Sequence, residues 1–174
     1  TGGTTGPAKG AMLSHGKIFA GIRMSKLSVT LDADSDEILI APMPLYHVFG
    51  FTMNVIGGFV YGGLSVLIPD PRDIDGLVKT MTAFKFTSMA SVNTLLQGLM
   101  AHRDFDSIDF SAVTGIIAGG SALVKEIGEE WQERTASKIY EGYGLSETSA
   151  VLTCNSPDAA RLGTVGKAMV AEEI

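Results

Sequence analysis

Apolar and polar positions along the chain alternate between two rhythms. Short apolar runs rich in β-formers recur at residues 38–41, 64–68, 86–90, 115–118 and 138–140, and between them apolar residues stand three or four apart at 51–61, 74–83, 92–101 and 122–135. The runs predict strands and the wider spacing predicts helices. Ser14 is placed to cap a further helix through about Met24, and Asp73 and Ser121 to cap two later ones, because their oxygens can accept from the orphan amides of a first turn. Strand and helix in alternation predict an α/β fold, a mostly parallel sheet flanked by helices. Ligands of such sheets gather at the carboxyl ends of the strands. No internal repeat, low-complexity tract or linker divides the chain, so one domain or part of one is expected.

Residues 41–69 contain no Asp, Glu, Lys or Arg, and a hydropathy window centred there would flag 50–69 as a candidate span. Gly50, Gly57, Gly58, Gly62, Gly63 and Asn54 interrupt it. A buried helix, a break at Gly62-Gly63 and a buried strand at 64–68 explain the stretch with less strain. A lipid-facing channel wall is the other use such a run could have.

Composition narrows the classes. Hydrophobic residues make up 45% and charged residues 18% of 174 positions, which excludes a disordered chain. Thirteen basic against nineteen acidic residues give a net charge of −6. With no basic patch in the sequence, nucleic acid is not an expected partner. The single cysteine, Cys154, has no intramolecular disulfide partner, which fits a reducing, cytoplasmic setting. The chain opens at Thr1 without a signal-like segment, and both ends read as cuts inside a longer protein. Glycine is the unusual residue, at 21 of 174.

Several motif matches fail. Asp32, Asp34 and Asp36 open like a calcium loop, but Glu37 stands where its glycine belongs and Met43 where its bidentate glutamate belongs. Gly16-Lys17 is followed by Ile18 and lacks the earlier glycine of a phosphate-binding loop. His15, His47 and His102 have no zinc-site spacing. Ser14 and Lys17 form a two-residue match without partner motifs.

Three segments carry chemistry. Thr1-Gly2-Gly3-Thr4-Thr5-Gly6-Pro7-Ala8-Lys9-Gly10 offers a turning backbone whose amides can face one anion, three hydroxyls and a mobile cation. That inventory suits a polyphosphate; a flexible loop with a solvated lysine would have the same composition. Ile139-Tyr140-Glu141-Gly142-Tyr143-Gly144-Leu145-Ser146-Glu147-Thr148 runs from a strand into a Gly-Tyr-Gly turn. The turn could present an aromatic face to a base, Ser146 a hydroxyl to a phosphate and Glu147 a carboxylate to Mg²⁺; a strand-end turn with an exposed acid is the plainer alternative. In Ile116-Ile117-Ala118-Gly119-Gly120-Ser121-Ala122-Leu123 small residues sit between a strand and a helix start. They would admit a flat ring, though close helix packing would also require them.

Taken in order with Pro44-Leu45-Tyr46-His47-Val48-Phe49-Gly50, these segments resemble the adenylate-forming acyl-CoA synthetase superfamily over essentially the whole chain. Asp70-Pro71-Arg72-Asp73-Ile74, Ser91-Val92-Asn93-Thr94-Leu95 and Asp109-Phe110-Ser111 make the likeness strongest to bacterial long-chain fatty-acid–CoA ligases. The resemblance implies that a fatty acid is activated by ATP and Mg²⁺ to an acyl-adenylate and passed to the thiol of coenzyme A. It implies phosphate contacts from Thr1, Gly2, Gly3, Thr4, Thr5, Gly6 and Lys9. The adenine slot would be lined by Gly119, Gly120 and Ser121, with Tyr143 between Gly142 and Gly144 against the base. Ser146 would face the α-phosphate and Glu147 would hold Mg²⁺. His47 would stand where ATP, carboxylate and acyl tunnel meet, with Asn93 lining the same cleft. The chain would be the central part of a large AMP-binding N-terminal domain, residues 1–174, incomplete for catalysis alone. The resemblance also admits peripheral association of the whole protein with the inner membrane face. Two departures from the pattern stand out: Pro7 sits one place earlier than usual, and Ser146 replaces the commoner threonine.

Overall fold

The computed structural model describes residues 6–28 and 37–169. Helix α1 (His15–Ser28) starts as predicted, with the Ser14 hydroxyl accepting from the Lys17 amide at 3.2 Å. Then come β1 (Ile38–Ala41), a π-helical segment (Gly50–Gly57) continued by one α turn, α2 (Gly58–Tyr61), and β2 (Leu64–Leu67). The remainder alternates: α3 (Ile74–Ala83), β3 (Ser88–Ser91), α4 (Asn93–Met100), β4 (Gly115–Ala118), α5 (Lys125–Thr135) and β5 (Ile139–Tyr143), closed by the short strands β6 (Thr153–Cys154) and β7 (Lys167–Ala168).

Among the described residues the strands form one sheet in the order β2-β1-β3-β4-β5-β6-β7. The first five are mutually parallel, and β6 and β7 pair antiparallel beyond β5. From β1 the chain steps outward to β2, then crosses back over β1 to β3 and continues away from it. A reversal of this kind places the β1–β2 connection and the helices α3–α5 on opposite faces. It also opens a crevice at the carboxyl ends of β1 and β3.

Helices α3, α4 and α5 cover one face because their apolar residues repeat at helical spacing: Leu77, Val78 and Met81; Leu95, Leu96, Leu99 and Met100; Ile127 and Trp131. Asp73 caps α3 as predicted, accepting from the Gly76 amide at 3.0 Å. Phe86, Phe105, Phe110 and Trp131 meet edge to face or tilted, with centroids 5.3–5.9 Å apart. Trp131 is fully buried, and its indole N–H donates to the Ser137 hydroxyl.

The structure departs from the sequence pattern at four places. The segment 51–61 is π-helical through Gly57, a register that apolar spacing does not distinguish from an α-helix. The run at 64–68 is a sheet edge among the described residues, with Leu64 51% and Leu67 53% exposed, not a buried strand. Helix α5 begins at Lys125, three residues later than expected, and Ser121 does not cap it: residues 121–124 are held in a loop by Asn93, as described below. Strands β6 and β7, two residues each, are too short for a periodic signal.

Candidate functional site

The carboxyl ends of β1, β3, β4 and β5 deliver four loops to one edge of the sheet. A cleft of about 660 Å³ lies there, lined by Gly6, Pro7 and Lys9 from the amino-terminal loop, by His47–Phe49 after β1, by Ile117–Gly120 at the end of β4 and by Gly142–Glu147 at the end of β5. Lys9, His47, Ser146 and Glu147, separated by up to 138 positions in sequence, therefore share one cavity, together with Gly119, Gly120, Gly142, Tyr143 and Gly144. Thr1, Gly2, Gly3, Thr4 and Thr5 lie outside the described residues.

A second cavity of about 510 Å³ adjoins the first, lined by Met43, Pro44 and Tyr46 after β1, by Ile74 at the start of α3 and by Val92, Thr94 and Leu95 around the start of α4. His47, Phe49, Gly119 and Gly120 line both cavities and form the partition between them. Ser121, expected in the adenine slot, lines this second cavity instead, because the loop turns away from the cleft after Gly120. Asn93 was expected to line the cleft and does not; its side chain is engaged with residues 121–124.

Each wall has a local cause. Gly50 ends the β1 loop where a Cβ would run into the Pro44 carbonyl, so only glycine lets the π-helical segment start so close to the loop carrying His47. The imidazole of His47 is exposed, and its Nδ1 accepts from the Phe49 amide at 3.2 Å. In neutral imidazole that leaves the proton on Nε2, a donor at the junction of the two cavities. Gly120 has φ +79°, a left-handed conformation that glycine adopts without strain. At the β5 end the Thr148 hydroxyl reaches back to the Leu145 amide at 3.0 Å, fixing the short 3₁₀ turn that displays Ser146 and Glu147.

Sequence reasoning missed Phe49, which is 8% exposed and whose ring a Cβ on Gly119 would meet at 3.5 Å. Its place two residues after His47 was the available signal. Reasoning also missed the buried brace behind β5. There Glu141, 5% exposed, accepts from the Gly163 amide, while the Asn155 side chain donates to the Arg161 and Thr164 carbonyls and accepts from the Arg161 amide. Cys154 stands beside this brace, and burial pushes its thiol up to about 11. Among the described residues no cluster of three or more His, Cys, Asp or Glu side chains could cage a metal, and no helix is long and apolar enough to cross a membrane.

This geometry has close counterparts. The whole chain, residues 1–174, matches the family model described as AMP-binding enzyme. A long-chain-fatty-acid–CoA ligase of Salmonella typhimurium is 39% identical over 159 residues, covering 91% of this chain and 28% of the relative. The protein of the same name from Bacillus subtilis is 32% identical over 155 residues, covering 89% of this chain and 28% of the relative. Among solved structures, ATP-bound MatB from Rhodopseudomonas palustris is 27% identical with a TM-score of 0.84, covering 97% of this chain and 32% of that one. The anthranilate CoA ligase AuaEII, in complex with anthranoyl-AMP, is 25% identical with a TM-score of 0.82, covering 90% of this chain and 30% of that one. The chain thus spans less than a third of the length of these relatives.

Proposed function

The chain belongs to the AMP-binding enzyme family, and from that premise we propose that it carries the nucleotide and acyl sites of a long-chain fatty-acid–CoA ligase. The observation that supports this reading is the pair of adjoining cavities with a shared partition: one rimmed by Lys9, Ser146 and Glu147, the other mostly apolar, meeting at His47. A fatty acid whose tail fills the apolar cavity would bring its carboxylate to the partition, facing the α-phosphate of an ATP in the cleft. Carboxylate attack at that phosphorus releases pyrophosphate and forms the acyl-adenylate; the thiol of coenzyme A then displaces AMP to give the thioester.

In this reading Lys9 and the amides of the glycine–threonine loop hold the departing phosphates. Preorganised donors aimed at charge that builds up on a leaving group are the largest electrostatic contribution to such transfers. Gly119 and Gly120 admit the flat base, and the half-exposed Tyr143 covers it. Ser146 donates to the α-phosphate. His47, with its proton on Nε2, orients the carboxylate against that phosphate. Mg²⁺ fits this donor set: one exposed carboxylate, Glu147, in a cleft whose described residues form no all-protein cage is how an ion that arrives with phosphates and retains its waters is held. Bound there, the ion would offset the charge that develops between the phosphates. A cytoplasmic enzyme is the setting this chemistry implies.

The test is ATP–pyrophosphate exchange by the full-length protein with a panel of acids. Preference for palmitate over benzoate and over amino acids supports the fatty-acid assignment. Preference for benzoate would move the protein to the aryl-CoA ligases, and preference for amino acids to the adenylation domains.

A further inference from the structure

Asn93 is the first residue of α4, directly beyond the carboxyl end of β3, and its side chain crosses to the loop leaving the neighbouring strand β4. Its Nδ2 donates to the Ala122 carbonyl at 2.7 Å and, at 3.4 Å, to the Ser121 hydroxyl, while its Oδ1 accepts from the Val124 amide at 2.8 Å. The reverse amide orientation would set nitrogen against the Val124 N–H and oxygen against the Ala122 carbonyl, so the network fixes which end is which. Val124 is extended, φ −73° and ψ 121°, immediately before α5. The asparagine thus does for residues 122 and 124 what a parallel neighbouring backbone does along a strand, beyond the last backbone pair, Ser91 with Ala118.

The position of this clamp matters because both of the segments it joins line the apolar cavity. Val92, Thr94 and Leu95, which flank Asn93, line it from the start of α4, and Gly119, Gly120 and Ser121 line it from the loop that Asn93 holds. Gly119 and Gly120 also form part of the partition toward the nucleotide cleft. With glycines at 119 and 120, no side chain of their own anchors these positions; the bonds that tie the loop across to α4 come from Asn93. We propose that Asn93 is a positioning residue that sets the width of the acyl cavity where it meets the nucleotide cleft, and thereby tunes which carboxylic acids are activated. This rests on the ligase reading above.

The test uses the full-length protein and ATP–pyrophosphate exchange with palmitate and with benzoate. Asn93→Ala is expected to lower kcat/KM for palmitate by roughly 10–100-fold, the cost of a misplaced reacting group, and to lower the palmitate-to-benzoate ratio of kcat/KM at least about threefold, a wider and less defined cavity gripping a straight chain less well. Because both acids are measured on one preparation, that ratio is independent of the folded fraction. Asn93→Asp keeps acceptance from the Val124 amide but faces the Ala122 carbonyl with a negative oxygen, and should shift the ratio in the same direction. Trp131→Phe, which removes the hydrogen bond to Ser137 near the other end of α5, should lower Tm and leave the ratio unchanged. An unchanged ratio in both Asn93 variants, or failure of both to fold, overturns the proposal. Absence of exchange in the unaltered protein overturns the ligase reading and this proposal with it.

Discussion

The two halves of the sheet are built to different standards. In β3 and β4 all four residues of each strand are buried, and the helices over them pack around Trp131 and the phenylalanine cluster. On the other side, β2 leaves Leu64 and Leu67 half exposed, Phe59 of α2 is 87% exposed, and the π-helical segment buries Asn54 with both side-chain polar atoms unpartnered. The finished half carries Gly119, Tyr143, Ser146 and Glu147 on loops pinned by Asn93 and Thr148. The unfinished half carries the loop with His47. In the proposed function the nucleotide lies against the finished half, where a preorganised wall suits it. The apolar cavity takes Met43, Pro44, Tyr46, His47 and Phe49 from that loop.

The comparison can be broken first by stability. Trp131→Ala should lower unfolding free energy by about 3–5 kcal/mol, read as a fall in the urea midpoint; a loss below about 1 kcal/mol would show that the aromatic cluster does not anchor the finished half. The chemical counterpart is Glu147→Gln, expected to slow ATP–pyrophosphate exchange by about 10²–10³-fold with little change in Tm. Exchange at the unaltered rate would remove Glu147 from the proposed Mg²⁺ role.

Next comes Cys154 on β6. Its folded thiol is held near 11 by burial against an ordinary value of 9.0. Between those two values the unfolded chain has lost a proton that the folded chain keeps, so stability falls as pH rises, by at most about 1.4 kcal/mol for each pH unit. Cys154→Ala should flatten the alkaline slope of the urea midpoint between pH 9 and 11; an identical slope would mean the thiol is not the titrating group.

On the unfinished side the expected signs reverse. Asn54→Leu removes buried polar atoms that have no partner, and should raise stability by about 1 kcal/mol; a loss of that size would reveal a partner for the amide, such as a buried water. Leu64→Ser and Phe59→Ser should each change stability by less than about 0.5 kcal/mol in the isolated chain. A larger loss would show that this edge is covered, for example by self-association.

Much of this was legible in the order of residues. The parallel sheet followed from apolar runs that alternate with stretches of helical spacing, because a helix between two strands lets them run in the same direction. The caps at Ser14 and Asp73 were readable because a first turn makes the same local demand everywhere. His47, Ser146, Glu147 and the glycines were picked out by type and order. The π-helical register was not legible, since a widened turn is selected by what docks against it: Gly58 sits where a Cβ would strike the Ser65 hydroxyl, and that hydroxyl donates to the Asn54 carbonyl. Ser121 was misassigned as a cap because the residue that holds the loop, Asn93, is 28 positions away.

The sequence by itself determined the element types, the parallel architecture and the chemical identity of the candidate groups, because these depend on local propensity and on the spacing of apolar side chains. Only the tertiary structure decided that Phe49 and the glycine pair 119–120 divide one cavity from another, that Asn93 spans the gap between β3 and β4 as a clamp, and that β2 is an edge. Those outcomes depend on which strands become neighbours, and strand neighbours are chosen by packing over the whole chain.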